Sequence, residues 1–446
     1  MYRLKRWGRI VVLAIIFILS GVMFSQYYDC WVQEDSPFDR FSLAFTFFFL
    51  CCPLGYFLLI AVCRYFFYRE IPTVPPEELP VCTVIIPAYN EGETIKLALE
   101  SVCRSEYPAD KLEIIAVNDG SIDDTLRWMQ QAAEESGGRI RVITYPENRG
   151  KRYALYQGFR SGSGEVFVTV DSDSLLKPDA LARMVSPFRR DHSVGAVSGN
   201  VRVANLEGGI FPPMIDAGFT FAFDFIRAGQ TVFKSVFCTP GALSAYRRTA
   251  LMPLLNEWLN QTFFGQPAGI GEDRALTNLI LRQGYGVIMQ RSAYIYTNVP
   301  ECYRGISKML LRWERSNIRE NLEMYSFIFR NFRFSDPRRW FMLATLLLYT
   351  LMTVLPVVMI WFTLYNIFTT NGTLVLSIAA TAMLWSTLPA LVNLQRNSLR
   401  HILYCYFYGI FRGVHHRQFP LADPQRSQFR RENLTCHTQR KESGKP

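Results

Sequence analysis

Residues 166–173 of this chain read VFVTVDSD, and this stretch decides the fold class. Five consecutive β-branched or aromatic side chains are typical of a strand that is buried on both faces. Two similar runs precede it, VCTVII at 81–86 and LEIIAV at 112–117. Helix-like stretches at 93–104 and 123–135 separate the runs. Strands that alternate with helices predict an α/β fold with a mostly parallel, doubly wound sheet.

Acidic residues follow each of these three runs. Glu91 comes after the first run, Asp119 after the second, and Asp171 and Asp173 after the third. Ligands of such sheets bind beyond the carboxyl ends of the strands, and carboxylates suit Mg²⁺ or Mn²⁺, which also bind phosphate oxygens. An isolated Asp-x-Asp pair is common in loops. Acidic groups at three successive strand ends instead indicate a site for a metal-bound nucleotide diphosphate.

Two further motifs combine charged residues at predicted helix starts. Lys151 and Arg152 offer cationic donors to a diphosphate, and the alternative is an exposed basic start of a helix. Glu272 and Asp273 lie in the run GEDR at 271–274, which predicts a buried acid pair. One of these carboxylates would act as general base on an incoming hydroxyl, and the alternative is helix capping.

Two segments combine aromatic with polar residues. Arg312 and Trp313 form one of them. A Trp in a cleft stacks on sugar rings and bases, and Arg binds phosphate through two parallel hydrogen bonds, whereas the alternative is packing with a surface charge. Residues 219–233 form an aromatic amphipathic stretch. We predict that it is a helix lying at a membrane interface, with core packing as the alternative.

Long apolar runs flank this central region. Runs at 10–27 and from 41, then at 340–368 and 373–394, have roughly the ~20 residues that span a bilayer. The shorter run at 401–414 is expected to be interfacial or re-entrant rather than a crossing. Basic residues before the first span and acidic ones after it place the N-terminus inside, and four spans return the basic tail to the same side.

Charge and cysteine content exclude other classes. Half of the net charge of +10 comes from residues 412–446, which contain eight Lys and Arg and three Asp and Glu. A basic tail beside apolar spans is a topology and lipid-headgroup signal, so we expect no nucleic-acid partner. None of the ten cysteines forms a C-x-x-C pair. Neither a zinc site nor a disulfide framework is indicated, which agrees with a cytosolic catalytic domain.

From about residue 81 to residue 320 the chain resembles the processive family 2 glycosyltransferases that make hyaluronan, chitin or cellulose. It is most similar to hyaluronan synthases and chitin-oligosaccharide synthases. The most specific stretches are 243–248, 260–265, 270–278, 312–316 and 319–320. Two departures stand out. Met309 occupies the position of the usual Gln before Arg-Trp, and residues 238–244 differ from the family's Ser-Gly-Pro loop and are one residue longer.

The resemblance implies an α/β, GT-A-type nucleotide-sugar transferase domain inserted between transmembrane helices. The parts would be a two-helix transmembrane hairpin at 1–70, a cytosolic transferase domain at 71–300, an interface helix with the Arg-Trp pair at 301–338, transmembrane helices at 339–395, and an interfacial segment with a basic cytosolic tail at 396–446. The enzyme would lie in the plasma membrane and polymerise UDP-sugars by inverting transfer. The growing polysaccharide would leave through a channel formed by the spans.

The resemblance also implies residue roles. Uridine would be held by Ala88, Tyr89, Glu91 and Asp119, and the diphosphate would be held by Lys151 with Arg152. Asp171 and Asp173 would bind UDP and Mg²⁺ or Mn²⁺. Asp273, beside Glu272, would be the base, and Arg312 and Trp313 would close the site. The implied product is hyaluronan, made from UDP-GlcNAc and UDP-GlcA. Alternatives are a chitin-type or capsular synthase that uses one sugar, and a non-processive transferase with a lipid acceptor. A transporter or scaffold would not need three acidic strand ends.

Overall fold

The computed structural model describes residues 53, 55–351 and 404. Within them, eight strands form a mixed sheet in the order β3-β2-β1-β4-β7-β6-β10-β5, and β8 and β9 form a separate hairpin. The strands are β1 Cys82–Ala88, β2 Leu112–Asp119, β3 Ile140–Tyr145, β4 Val166–Val170, β5 Ser174–Leu176, β6 Val194–Val203, β7 Leu243–Arg247, β8 Thr262–Phe263, β9 Gln266–Pro267 and β10 Gly286–Thr297.

Helices connect these strands. They are α1 Thr94–Cys103, α2 Thr125–Glu135, α3 Lys151–Ser161, α4 Ala180–Arg190, α5 Phe211–Thr220, α6 Ala228–Gln230, α7 Arg248–Leu251, α8 Leu255–Leu259, α9 Glu272–Arg282 and α10 Tyr303–Asn331. A π-helical segment, Phe221–Arg227, joins α5 to α6, and a second one lies at Cys63–Phe67. Short 3₁₀ turns are Pro76–Glu78, Ala109–Lys111, Thr231–Phe233 and Met252–Leu254. Residues 55–62 and 337–351 are also helical.

The hydrophobic core lies on both sides of the sheet. Every residue of β1, β4 and β6 is buried, as expected for strands covered on two faces. Gly158 of α3 shows how closely a helix approaches the sheet, because a Cβ there would lie 2.4 Å from the Ile85 side chain of β1. This packing fixes α3, and with it the residues at the start of α3, against the strands.

The strands predicted at 81–86, 112–117 and 166–170 are confirmed as β1, β2 and β4, and the helices predicted at 93–104 and 123–135 are confirmed as α1 and α2. Residues 219–233 are helical throughout in successive α, π and 3₁₀ segments. Their position at a membrane interface stays a prediction.

The expectation of a mostly parallel sheet is wrong for half of it. Strand β1 pairs in parallel with β2 and β4, and β2 with β3, but β7 pairs antiparallel with both β4 and β6. Strand β5 is also antiparallel to β10. Antiparallel neighbours need no crossover helix, so the strand–helix alternation near the N-terminus carries no information about them. The start of β7 therefore lies at the sheet edge where β4 ends.

The described residues form two compact units. The first contains 55–202, 219–297 and 316–351, and the second contains 203–218 and 298–315. In the second unit, Asn205 joins the two pieces of chain: its Nδ2 donates to Val299 O at 2.9 Å, and its Oδ1 accepts from Val299 N at 3.0 Å.

No helix among the described residues combines the length and apolar character that a bilayer crossing requires. The spans predicted at 10–27, from 41, at 340–368 and at 373–394 lie wholly or partly outside those residues, as do the interfacial segment at 401–414 and the basic tail. Among the described residues, the free thiols are Cys63, Cys82, Cys103, Cys238 and Cys302. The absence of a disulfide framework in the whole chain stays a prediction.

Candidate active site

The loops that follow β1 and β2 are joined to each other. Asn90 has a left-handed backbone, with φ of 53°, and its N–H donates to Ser121 Oγ at 3.0 Å. In return Ile122 N donates to Asn90 Oδ1 at 2.9 Å, and Glu91 N donates to Thr125 Oγ1 at 2.8 Å. The segment containing Ala88, Tyr89 and Glu91 therefore lies beside the end of β2. Uridine binding by these residues stays a prediction.

Asp119, the last residue of β2, determines where α3 begins. Its side chain is buried, and its two carboxylate oxygens accept hydrogen bonds from Arg149 N at 3.0 Å and Gly150 N at 2.8 Å. Gly150 has φ of +93°, which favours glycine, and Lys151 is the first residue of α3. Asp119 thus positions Lys151, in addition to the uridine contact that the sequence predicts for it.

Lys151 connects two acidic elements of the site. Its Nζ forms an ion pair with Asp171, at the end of β4, and lies 3.3 Å from Glu272 Oε1, at the start of α9. Burial alone would lower the pKa of Lys151, but the Asp171 and Glu272 carboxylates outweigh it and raise that pKa above its usual value. The lysine therefore carries a full positive charge at neutral pH, as binding of a diphosphate requires.

Asp173 faces the same edge of the sheet as Asp171. Its Oδ1 accepts from Ser174 Oγ at 3.2 Å and from Thr297 Oγ1 at 3.3 Å. Burial, and then repulsion from Asp171, raise the pKa of Asp173. Two carboxylates whose charges repel each other, offering only hard oxygen ligands, fit a divalent cation.

The described residues contain no group of three or more His, Cys, Asp or Glu side chains placed to hold a metal ion. Mg²⁺ commonly uses one or two protein carboxylates and takes its remaining ligands from substrate phosphates and water. Asp171 and Asp173 therefore fit a cation that binds together with a diphosphate. They do not need to be part of a site in which the protein supplies every ligand.

Asp273 is held by backbone donors in the first turn of α9. Its Oδ2 accepts from Gly241 N at 3.1 Å and its Oδ1 from Arg274 N at 2.7 Å, while Cys238 Sγ lies 3.9 Å from Oδ2. Burial, and then the Glu272 carboxylate, raise the pKa of Asp273 above the usual aspartate value. A carboxylate with a raised pKa accepts a proton more readily than an ordinary one, so the raised pKa of Asp273 suits a general base.

Gly241 is a site residue that sequence reasoning missed. Besides donating to Asp273, it lies so close to Lys151 that a Cβ at this position would be 2.9 Å from Nζ. The antiparallel pairing of β7 with β4 brings it there, since Asp171 N donates to Ala242 O at 3.4 Å. In the sequence, a signal for the role of Gly241 was that residues 238–244 differ from the family's usual Ser-Gly-Pro acceptor loop.

Arg152 points away from Lys151, into the interior. Only 7% of the residue is exposed, and its Nη1 donates to Trp258 O at 2.8 Å and to Gln261 Oε1 at 3.2 Å. Burial and the nearby Arg319 cation lower the pKa of Arg152 to about 10. Trp258 Nε1 in turn donates to Glu272 O at 2.9 Å. The observed contacts therefore support the start of α9, and diphosphate binding by Arg152 stays a prediction.

The structure brings together Lys151, Asp171, Asp173, Glu272 and Asp273, all within the first unit. Arg312 and Trp313 lie on α10 in the second unit. Closure of the site over the diphosphate by Arg312 and Trp313 stays a prediction.

An α/β sheet with a lysine and clustered carboxylates at one edge suits a metal-bound nucleotide diphosphate. The fold agrees: a mannosyltransferase from Pyrobaculum calidifontis, solved in complex with GDP-Man and Mn²⁺, matches with a TM-score of 0.61 at 23% sequence identity, over 83% of this chain and 98% of that one. The chain therefore has a GT-A-like fold.

Sequence comparison identifies the family. Residues 83–255 match the profile of glycosyl transferase family 2. A hyaluronan synthase of Streptococcus pyogenes is 30% identical over 318 residues, which are 70% of this chain and 72% of that protein. An N-acetylglucosaminyltransferase of Mesorhizobium japonicum is 35% identical over 268 residues, 57% of this chain and 62% of that protein. The protein belongs to glycosyltransferase family 2, and it spans less than two thirds of the N-acetylglucosaminyltransferase.

Proposed function

We propose that this protein is a membrane-embedded, processive, inverting glycosyltransferase that polymerises UDP-sugars into an exported polysaccharide. One observation carries the proposal. Lys151 bridges Asp171 and Glu272, so the residues suited to a metal-bound diphosphate adjoin Asp273, the residue suited to deprotonate an acceptor. Donor and acceptor chemistry therefore share one site.

Each residue has a distinct task in the reaction. Lys151 contacts the diphosphate. Asp171 and Asp173 would hold Mg²⁺ or Mn²⁺, and the cation would supply positive charge beside the departing UDP. Asp273 removes the proton from the acceptor hydroxyl, whose oxygen attacks the anomeric carbon from the face opposite UDP. The bond from that carbon to the diphosphate breaks, and the configuration inverts. The N–H groups of Gly241 and Arg274 hold the base in place for this attack.

The proposed product is hyaluronan, made from UDP-GlcNAc and UDP-GlcA. The match to a hyaluronan synthase, which extends over 70% of this chain, supports this choice. The second candidate is a chitin-type polymer made from UDP-GlcNAc alone, favoured by the higher identity, 35%, to the N-acetylglucosaminyltransferase. Both candidates share UDP-GlcNAc as a donor.

The first prediction separates these two products. The full chain in washed membrane vesicles is given radiolabelled UDP-GlcNAc, UDP-GlcA, or both, and polymer is measured by size and by digestion with hyaluronidase or chitinase. We expect hyaluronidase-sensitive polymer only when both donors are present. Chitinase-sensitive product from UDP-GlcNAc alone would move the assignment to the single-sugar candidate. Activity that leaves the membranes in a carbonate wash would contradict membrane embedding.

The second prediction concerns metal removal. Chelation by EDTA should lower the transfer rate by about a hundredfold or more, because Asp171 and Asp173 then repel each other and the charge on the leaving UDP is not neutralised. Added Mg²⁺ or Mn²⁺ should restore the rate, and Ca²⁺, which prefers more ligands at longer distances, should restore it less. Full activity in EDTA would contradict the proposed metal site.

A further inference from the structure

A fully buried carboxylate contacts the helix that carries the base. Glu320, on α10, is 0% exposed, and its carboxylate accepts three side-chain hydrogen bonds: from Arg319 Nε at 2.8 Å, Gln261 Nε2 at 3.2 Å and Asn278 Nδ2 at 2.9 Å. Its backbone carbonyl also accepts from Asn278 Nδ2 at 2.8 Å. Glu320 thereby joins α10 to α9 through Asn278 and to the segment after α8 through Gln261.

Arg319 carries this connection to the start of α9. Its Nη2 donates to Ile270 O at 2.6 Å, immediately before the turn at Gly271 from which Glu272 and Asp273 follow. Gly271 also packs directly on α10, because a Cβ there would lie 1.7 Å from Ser316 Oγ. The backbone that leads into the base is therefore held by one hydrogen bond and one close contact, both from α10.

A second set of contacts fixes the same helix one turn further on. Arg274, which directly follows Asp273, donates from Nη2 to Asn321 Oδ1 at 2.6 Å and from Nη1 to Asn317 Oδ1 at 3.4 Å. Residues 316–321 of α10 thus contact the chain just before the base, at Ile270 and Gly271, and just after it, at Arg274.

From this geometry we infer that Arg319 and Glu320 are positioning residues for Asp273, and that their pair sets the orientation of the base toward the acceptor hydroxyl. The inference rests on the proposed function. Both residues are buried, and Arg319 donates to Ile270 O, so the pair acts through Ile270, Gly271 and the start of α9 and not by touching substrate.

Stability alone does not account for this pair. Taking two charges out of water costs several kcal/mol for each ion, and a buried ion pair is often no more stabilising than well-packed apolar residues of the same volume. The pair does fix the orientation of the turn that leads into α9. Arg319 offers two nitrogen atoms at fixed separation: Nε and Nη2 both contact Glu320, and Nη2 also donates to Ile270 O. Apolar residues could not define the turn in this way.

The third prediction tests the positioning role with Arg319→Lys. This variant keeps the buried positive charge beside Glu320, but a single ammonium replaces the two nitrogen atoms that reach Glu320 and Ile270 O. We expect kcat for transfer to fall between about tenfold and a hundredfold, as for a reacting group displaced by about 1 Å. The KM for the donor and the Kd for UDP should stay within about twofold of wild type, because the donor-binding residues are untouched.

The matched control is Arg330→Lys, the same substitution at an exposed position of α10. It should leave kcat, KM and the thermal midpoint unchanged. A second variant, Glu320→Gln, should show the same kcat defect, and the double variant with Arg319→Lys should lose little more than the worse single variant, as for residues that act as a unit. Glu323→Gln, one turn along the same helix, is its control.

Arg319→Lys with wild-type kcat would overturn the inference, as would a loss of UDP affinity in place of kcat. If Glu320→Gln does not fold, Arg319→Lys, which keeps the charge pair, still decides the matter. Wild-type protein that transfers no sugar from any UDP-sugar would contradict the proposed function and this inference together. An active wild type with an equally active Arg319→Lys would contradict the inference alone.

Discussion

Asp273→Asn should lower the rate of sugar transfer by about a thousandfold or more while UDP binding stays within about threefold of wild type. General base catalysis contributes about 10²–10⁴ to such rates, and an amide cannot accept the acceptor's proton. The geometry adds to the loss. The carboxylate accepts from Gly241 N and Arg274 N on its two oxygens, and the Asn side chain can accept only one of these bonds while its NH₂ group opposes the other donor.

The measurement is single-turnover transfer from radiolabelled UDP-GlcNAc, together with the Kd for UDP. Asp110→Asn, at an exposed position of a surface turn, is the matched control and should behave as wild type. Glu272→Gln separates the two acids: it removes the negative charge that pairs with Lys151 Nζ at 3.3 Å, so it should weaken UDP binding more than it slows chemistry. Transfer by Asp273→Asn above about a tenth of the wild-type rate would show that Asp273 is not the base.

Local sequence patterns predicted where the acidic residues at the strand ends lie, because these residues end or follow buried strands. Asp119 is the last residue of β2 and Asp171 directly follows β4, and parallel strands bring their carboxyl ends to one edge. Hydrophobic runs mark such strands without any knowledge of tertiary structure. The three strand runs and two helices read from sequence agree with the structure for this reason.

The support of the base could not be predicted in this way, since it depends on contacts between distant segments. Gly241 reaches Asp273 only because β7 pairs antiparallel with β4, and no local pattern specifies that pairing. Arg152 and Lys151 are neighbours in sequence, yet their side chains diverge once α3 packs on the sheet. Glu320 looks like a surface residue of an amphipathic helix until its partners on α9 are placed.

Gly271→Ala should lower transfer by about a hundredfold and reduce the thermal midpoint, because it has two separate costs. Gly271 has φ of +71° and ψ of 42°, and a left-handed backbone costs a residue with a Cβ about 1–2 kcal/mol. The new Cβ would also lie 1.7 Å from Ser316 Oγ and 2.6 Å from Ser316 Cβ. Overpacking of this kind typically costs about 1–3 kcal/mol and is relieved by a backbone shift. That shift would displace the first turn of α9.

Two variants separate these costs. Gly137→Ala is the matched control: its φ of +67° is nearly the same, but nothing lies within 4 Å of the added Cβ, so it should lose stability only, with full activity. Gly271→Ala combined with Ser316→Gly removes the clash and keeps the backbone strain. If the contact with α10 positions the base, this double variant should recover most of the lost kcat although its thermal midpoint stays low. Recovery of neither quantity would mean that strain at Gly271, and not its packing on α10, sets the geometry of Asp273.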